Sequence, residues 1–198
     1  MTPFLRPQPS QTQSGYTLVE MVIVVAIFGL LFATTQSLTR GVLDREDFNG
    51  LALGLSTWLE AIQRGAQRTT GGCTVTFTSG VNSTAGLILK PGDILARVTP
   101  SNCSNESVFV IPSFRSDGNL TAKISPSAIS SITFTPRGTL AVISRYTATY
   151  ENGPTITFTH SKTSLVRCVR VTHTSGMITL GSNNNGSTCD ATSFDGSI

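Results

Sequence analysis

Residues 14 to 33 read SGYTLVEMVIVVAIFGLLFA, Ser14 to Ala33, and thirteen of them, Met21 to Ala33, are apolar without interruption. With its flanks Leu18 to Leu38 the segment has 21 residues. As a helix it would be about 31 Å long at about 1.5 Å per residue, enough for a hydrocarbon layer of about 30 Å. Glu20 breaks the simplicity of that picture. An ionised carboxylate at the head of an apolar helix is costly in hydrocarbon unless it meets a partner, and such residues mark function. A secretory signal requires a small residue three positions before its cut, and Leu31-Phe32-Ala33 offers Leu there. A plain membrane anchor leaves Glu20 unexplained. A buried core helix, apolar all round, needs more surroundings than so short a chain supplies.

Ser14-Gly15-Tyr16-Thr17-Leu18-Val19-Glu20 followed by the apolar run resembles the class III prepilin signal of type IV pilins and type II secretion pseudopilins. The resemblance implies a cut by a prepilin peptidase between Gly15 and Tyr16, N-methylation of Tyr16, and an assembly role for Glu20 as the fifth mature residue. Physical chemistry agrees. Gly15 and small Ser14 let the chain lie extended in a protease groove. A free amine at Tyr16 and a carboxylate at Glu20 stand one helical turn apart, so a neighbouring subunit's amine can neutralise the acid as helices stack. The leader departs from the family pattern in holding one base, Arg6, and Ser14 rather than a base beside the glycine.

Past Leu38 the pattern becomes one-sided. Phe48, Leu51, Leu55, Trp58 and Ile62 recur at intervals of three and four, while Arg45, Glu46, Asn49, Gln63 and Arg64 fall largely elsewhere. This predicts one helix from Tyr16 to about Gln67 whose second half packs on a domain. Gly29, Gly41, Gly50 and Gly54 weaken it by about 1 kcal/mol each relative to Ala, and Thr69-Thr70-Gly71-Gly72 ends it. From Cys73 onward, short runs alternate between hydrophobes and Thr: Cys73-Val75-Phe77, Ile132-Phe134 and Ile156-Phe158 each have Thr between or beside them. These are half-buried antiparallel strands. Further strands are predicted at 87–90, 94–99, 107–114, 120–124, 140–151, 165–174 and 177–180. About ten strands and no second long helix give an α+β, pilin-like fold: one long N-terminal α-helix packed on a C-terminal antiparallel β domain of two small sheets. The predicted segments are 1–15, a cleaved leader; 16–38, a transmembrane or fibre-core half-helix; 39–70, an amphipathic half-helix; and 71–198, a β-rich head.

Ile132-Thr133-Phe134-Thr135-Pro136-Arg137-Gly138-Thr139, then Leu165 to Val171, then Thr174-Ser175-Gly176-Met177-Ile178, looks like the C-terminal signature of H-type pseudopilins and FimT-type minor pilins. The FimT resemblance implies DNA uptake through a Gly-Arg-x-Arg stretch. The corresponding residues are Gly176-Met177-Ile178-Thr179, without either arginine. Between Lys123 and His173 stand six bases and the single acid Glu151, which makes Arg137, Arg145, Arg167 and Arg170 candidate DNA contacts. Strand alternation sends Arg167 and Arg170 to opposite faces, so scattered solvated bases are the preferred reading of this excess.

Cys73, Cys103, Cys168 and Cys189 show no CxxC spacing, which points to two disulfides in an oxidising compartment rather than a zinc site. Three pairings are open; Cys73 with Cys103 and Cys168 with Cys189 are favoured, closing loops of about 20 to 30 residues worth about 3 kcal/mol each in the entropic model. The second would pin the Gly/Ser/Asn tail Gly181 to Ser187 onto the strand at Cys168, as in many pilins. The histidines, His160 and His173, lie in Thr-rich strands, and no HExxH, Gly-x-Ser-x-Gly or P-loop motif occurs. No enzyme, cofactor or metal is expected.

Composition fits this division. Of 198 residues 39% are hydrophobic, 13% are charged and 52 are Ser or Thr, with a formal net charge of +3. That low charge and abundant hydroxyl describe an exported β-rich surface, and this much Val, Ile, Leu and Phe excludes a disordered chain. The expected function is a minor pilin or pseudopilin subunit, FimT-like in a type IV pilus, with DNA uptake as its extension; an H-type minor pseudopilin of a type II secretion system and an anchored exported binding protein are the alternatives. Expected partners are other pilins or pseudopilins, the prepilin peptidase, an inner-membrane assembly platform, the inner membrane and DNA. The expected location is a single-pass inner-membrane precursor with its head in the periplasm, and a periplasmic or extracellular fibre after assembly.

Overall fold

The computed structural model of the chain describes residues 15–113, 119–141, 153–161, 165–173, 175–184 and 188–194, with backbone alone for 33–41, 43 and 191. It divides into two compact units, Met1–Gly41 and Val42–Ile198. The single α-helix among the described residues, α1, runs Leu18–Ala66.

In the first unit every described side chain from Gly15 to Phe32 is exposed, including Leu18, Val22, Ile23, Ile27, Phe28, Leu30 and Leu31. Among the described residues no helix is long and apolar enough to cross a membrane. The apolar run proper stops at Ala33, about 20 Å of helix, and Thr34, Thr35, Gln36 and Ser37 follow it.

In the second unit, Phe48, Leu51, Leu55, Trp58 and Ile62 of α1 are buried, joined by Ala52, Leu59 and Ala66, which widen the expected stripe. The strands are β1 Cys73–Phe77, β2 Leu87–Leu89, β3 Ile94–Thr99, β4 Val108–Val110, β5 Leu120–Ser125, β6 Ser131–Phe134, β7 Thr155–His160, β8 Val166–Val171 and β9 Ile178–Asn183. They form two antiparallel sheets, β4-β3-β1-β6 and β2-β5-β7-β8-β9. Alternation explains what each sheet buries. Val75 and Phe77 of β1, Ile132 and Phe134 of β6, and Ile156 and Phe158 of β7 join the helix stripe in one core, while the intervening Thr residues face outward.

The strands differ from expectation in part. The strand expected over 107–114 is the short β4. Of the strand expected over 140–151, Leu140 makes an isolated bridge to Phe134, and residues 142–150 lie outside the described residues. The tail expected from Gly181 begins as strand instead: Gly181, Ser182 and Asn183 pair with Cys168, Arg167 and Val166. Glycine suits that place, because a Cβ on Gly181 would meet the Phe194 ring at 2.7 Å. His160 lies in a strand, as expected, and is buried with its ring edge-on to Phe48 at 5.2 Å.

The helix end is also explained locally. The amide of Arg68 donates to Gly65 O and that of Thr69 to Ala66 O, and the Thr69 hydroxyl donates to Ala66 O at 3.1 Å. Gly72 then takes φ of +75°, lying so close to Phe134 O that a side chain would collide with it. Disulfides join Cys73 to Cys103 and Cys168 to Cys189.

Candidate functional site

Gly15, Tyr16 and Thr17 precede the helix in non-helical backbone, and Leu18 is its first residue. Thr17 caps it. The Glu20 amide donates to Thr17 Oγ1 at 3.3 Å, and the Met21 amide donates to Thr17 O. Thr at the cap with Glu three residues on is the capping-box spacing, and it puts the Glu20 carboxylate in the first turn, where the helix dipole favours negative charge. Thus Glu20 serves the start of the helix locally, while Tyr16, 80% exposed, leaves the Gly15–Tyr16 bond accessible. The cap was legible as Thr-x-x-Glu, but sequence reasoning weighed only Glu20.

Of the arginines considered for DNA, Arg137, Arg167 and Arg170 lie among the described residues. Arg167 is 2% exposed. Opposite Phe158 on β7, it points inward, where Nε donates to Asn49 Oδ1 at 2.6 Å and Nη1 donates to Val166 O at 2.9 Å and Asn184 Oδ1 at 3.1 Å. Its pKa is lowered, first by desolvation and then by Arg45, with Glu46 opposing. It is a structural cation tying α1 to β8, which corrects its candidacy as a DNA contact. Asn49, expected off the packed face, is its acceptor.

Arg170, opposite Thr155, points outward. Its guanidinium lies 3.5 Å over the Phe194 ring and Nη2 donates to Asp190 O at 3.5 Å, so it fastens the C-terminal turn. Arg137 is exposed in the turn after β6. Arg145 lies outside the described residues.

Two turns singled out in the sequence meet in space. Gly138, φ +76°, and Gly176, φ +68°, lie against one another so closely that a Cβ on Gly176 would run into Gly138 O. Gln63 of α1 donates from Nε2 to the same Gly138 O at 2.7 Å. The C-terminal signature is therefore a packing device joining helix and both turns.

Asp190 organises the last turn, Ala191–Phe194. Its Oδ1 accepts from Thr192 Oγ1 at 2.7 Å, Ser193 Oγ at 2.9 Å and Ser193 N at 3.0 Å. These bonds, the Thr192 hydroxyl first, hold its carboxyl below the ordinary carboxylate range.

Against known proteins, residues 10–35 match the family model described as the prokaryotic N-terminal methylation motif. No curated protein matches as a relative. Among solved structures the chain is similar to the type IV minor pilin FimU of Pseudomonas aeruginosa strain PAO1 in two crystal forms. One is 20% identical, covering 70% of this chain and 91% of that one with a TM-score of 0.46. The other is 19% identical, covering 67% and 90% with a TM-score of 0.41. The matched segment contains Gly15, Tyr16, Thr17, Glu20 and the apolar run Met21 to Ala33. The chain thus carries, at residues 10–35, a prokaryotic N-terminal methylation motif.

Proposed function

We propose that this chain is a minor pilin or pseudopilin subunit, processed after Gly15, N-methylated on Tyr16, and assembled through α1 into a type IV pilus in the FimT manner. The observation that carries the reading is an exposed apolar helix whose first turn holds Glu20, capped by Thr17 and preceded at once by Gly15-Tyr16. So much exposed apolar surface is unstable in water. It is covered by other pilin helices in a fibre and, before assembly, by the inner membrane, with the head on the periplasmic side. Each incoming Tyr16 amine then meets the Glu20 carboxylate of a neighbour, and burial away from water strengthens that pairing. Cleavage of residues 1–15 leaves 183 residues. The work of the fibre comes from polymerisation driven by the assembly platform.

Intact mass of the membrane-extracted protein is expected to correspond to residues 16–198, with both disulfides intact and one added methyl group. Retention of Met1, or an unmethylated Tyr16, would overturn the reading. Glu20→Gln is expected to leave processing intact and to reduce incorporation into fibres. An H-type role in type II secretion is the alternative, distinguished by whether deletion abolishes pili or protein export. The FimT reading extends to DNA uptake. Salt-dependent DNA binding by the full chain, reduced by Arg137→Gln and untouched by Arg167→Met, is its expected signature.

A further inference from the structure

A groove of about 560 Å³ runs over the outer face of the five-stranded sheet. Its floor is a hydroxyl array on two neighbouring strands, in which Thr121 faces Thr159, Lys123 faces Thr157 and Ser125 faces Thr155. One wall is Thr84-Ala85. The other is Thr188-Cys189, held in place by the bond to Cys168 on β8.

Thr on the outer face of a strand is ordinarily explained by strand propensity. Several strand and turn hydroxyls are, however, spent within the protein: Thr74 and Thr133 bond each other at 2.9 Å, Thr78 donates to Ile94 O at 2.6 Å, Thr135 and Thr139 bond each other at 2.7 Å, and Thr157 on the groove floor contacts Cys168 Sγ at 3.6 Å. In the groove, Thr121, Ser125, Thr155 and Thr159 make no side-chain hydrogen bond among the described residues, although they stand directly opposite one another in register. Lys123 forms no ion pair among them either. Half-buried between walls, with Ser125 exposed at one end, these groups are poised toward whatever enters.

We propose that this groove binds an acidic saccharide. Each hydroxyl both donates and accepts, which matches the mixed donors and acceptors of a sugar. The lining holds one ammonium and no carboxylate among the described residues, so it suits a ligand with one anionic substituent beside Lys123. A nucleic acid backbone would require several cations. Half-buried Leu165 at one end of the groove supplies apolar surface for the C–H face of a ring. The volume falls within the usual range for small-ligand sites. This site is independent of the N-terminal helix.

The test is calorimetric titration of the full mature chain in detergent with trigalacturonate, its neutral methyl ester and a short oligothymidylate. Trigalacturonate is expected to bind about tenfold more tightly than the ester, as befits one charged hydrogen bond. Lys123→Gln is expected to erase that difference while leaving the ester's affinity unchanged. Thr155→Val with Thr159→Val, which keeps shape and strand propensity, is expected to weaken both saccharides severalfold; Thr76→Val on the other sheet is expected to weaken neither. Absence of saccharide binding, affinities unmoved by the groove variants, or tighter binding of oligothymidylate than of trigalacturonate would each overturn the proposal.

Discussion

The buried Arg167 predicts an unusual ordering of mutant stabilities. Its guanidinium is 2% exposed and held by Asn49 Oδ1 at 2.6 Å, Val166 O at 2.9 Å and Asn184 Oδ1 at 3.1 Å. Asn49→Ala removes the shortest of these and leaves the cation buried. A hydrogen bond to a charged group is worth about 1.5–3 kcal/mol, and the desolvation of the orphaned group adds to the loss, so the expected cost is about 2–3 kcal/mol. Arg167→Met removes the cation together with its bonds and keeps an unbranched apolar stem in the same space. Replacing a buried charge by an apolar side chain of similar shape is often close to neutral, and desolvation is the leading force against this cation. The expected cost is therefore about 1 kcal/mol or less. In a chain of this size 1 kcal/mol moves Tm by about 2–4 °C. Thermal unfolding followed by circular dichroism should then place Asn49→Ala some 4–12 °C below the parent, Arg167→Met within about 4 °C of it, and the double variant above Asn49→Ala alone. If Arg167→Met melts lower than Asn49→Ala, the guanidinium is a net stabiliser and the reasoning fails.

Further outcomes follow from other contacts. Gly50→Ala, with open space around the new methyl group, is expected to raise stability by up to about 1 kcal/mol, whereas Gly65→Ala drives a Cβ into Cys103 O and is expected to cost more than 2 kcal/mol; the two melting curves settle this. Cys168→Ser with Cys189→Ser opens a loop of sequence separation 21 and is expected to cost about 3 kcal/mol, read as a loss of about 6–12 °C in Tm. The depressed Asp190 carboxyl gives the last turn stability that is fully present above the ordinary carboxylate pKa and is lost as pH falls through its lowered value, so the Phe194 ring resonances should shift below about pH 4 and stay constant above it. Asp190→Asn is expected to abolish that pH dependence.

Local signals were strong where one segment decides its own conformation. The Gly15, Tyr16 and Glu20 spacing, the apolar run after it, the stripe from Phe48 to Ile62 and the Thr-alternating strands could all be read along the chain, because helix and strand periods translate directly into faces. The same reading stopped short at Gly181. Pairing with β8 and the packing of Phe194, rather than local composition, set the end of β9.

Sequence by itself thus determined the N-terminal motif, the α+β architecture of helix and sheets, and the sign and sparseness of charge. Tertiary structure alone decided what the charged and hydroxyl groups do. Arg167 and Asn49 are 118 positions apart, yet they share a hydrogen bond that removes Arg167 from any surface. Gly138 and Gly176 meet under Gln63. Thr residues indistinguishable in sequence are bonded within the protein at Thr74 and Thr133 and make no side-chain bond at Thr121 and Thr159. In each case the deciding interaction joins residues distant in sequence, and hydrogen bonds form according to distance and angle in space, which no period along the chain encodes.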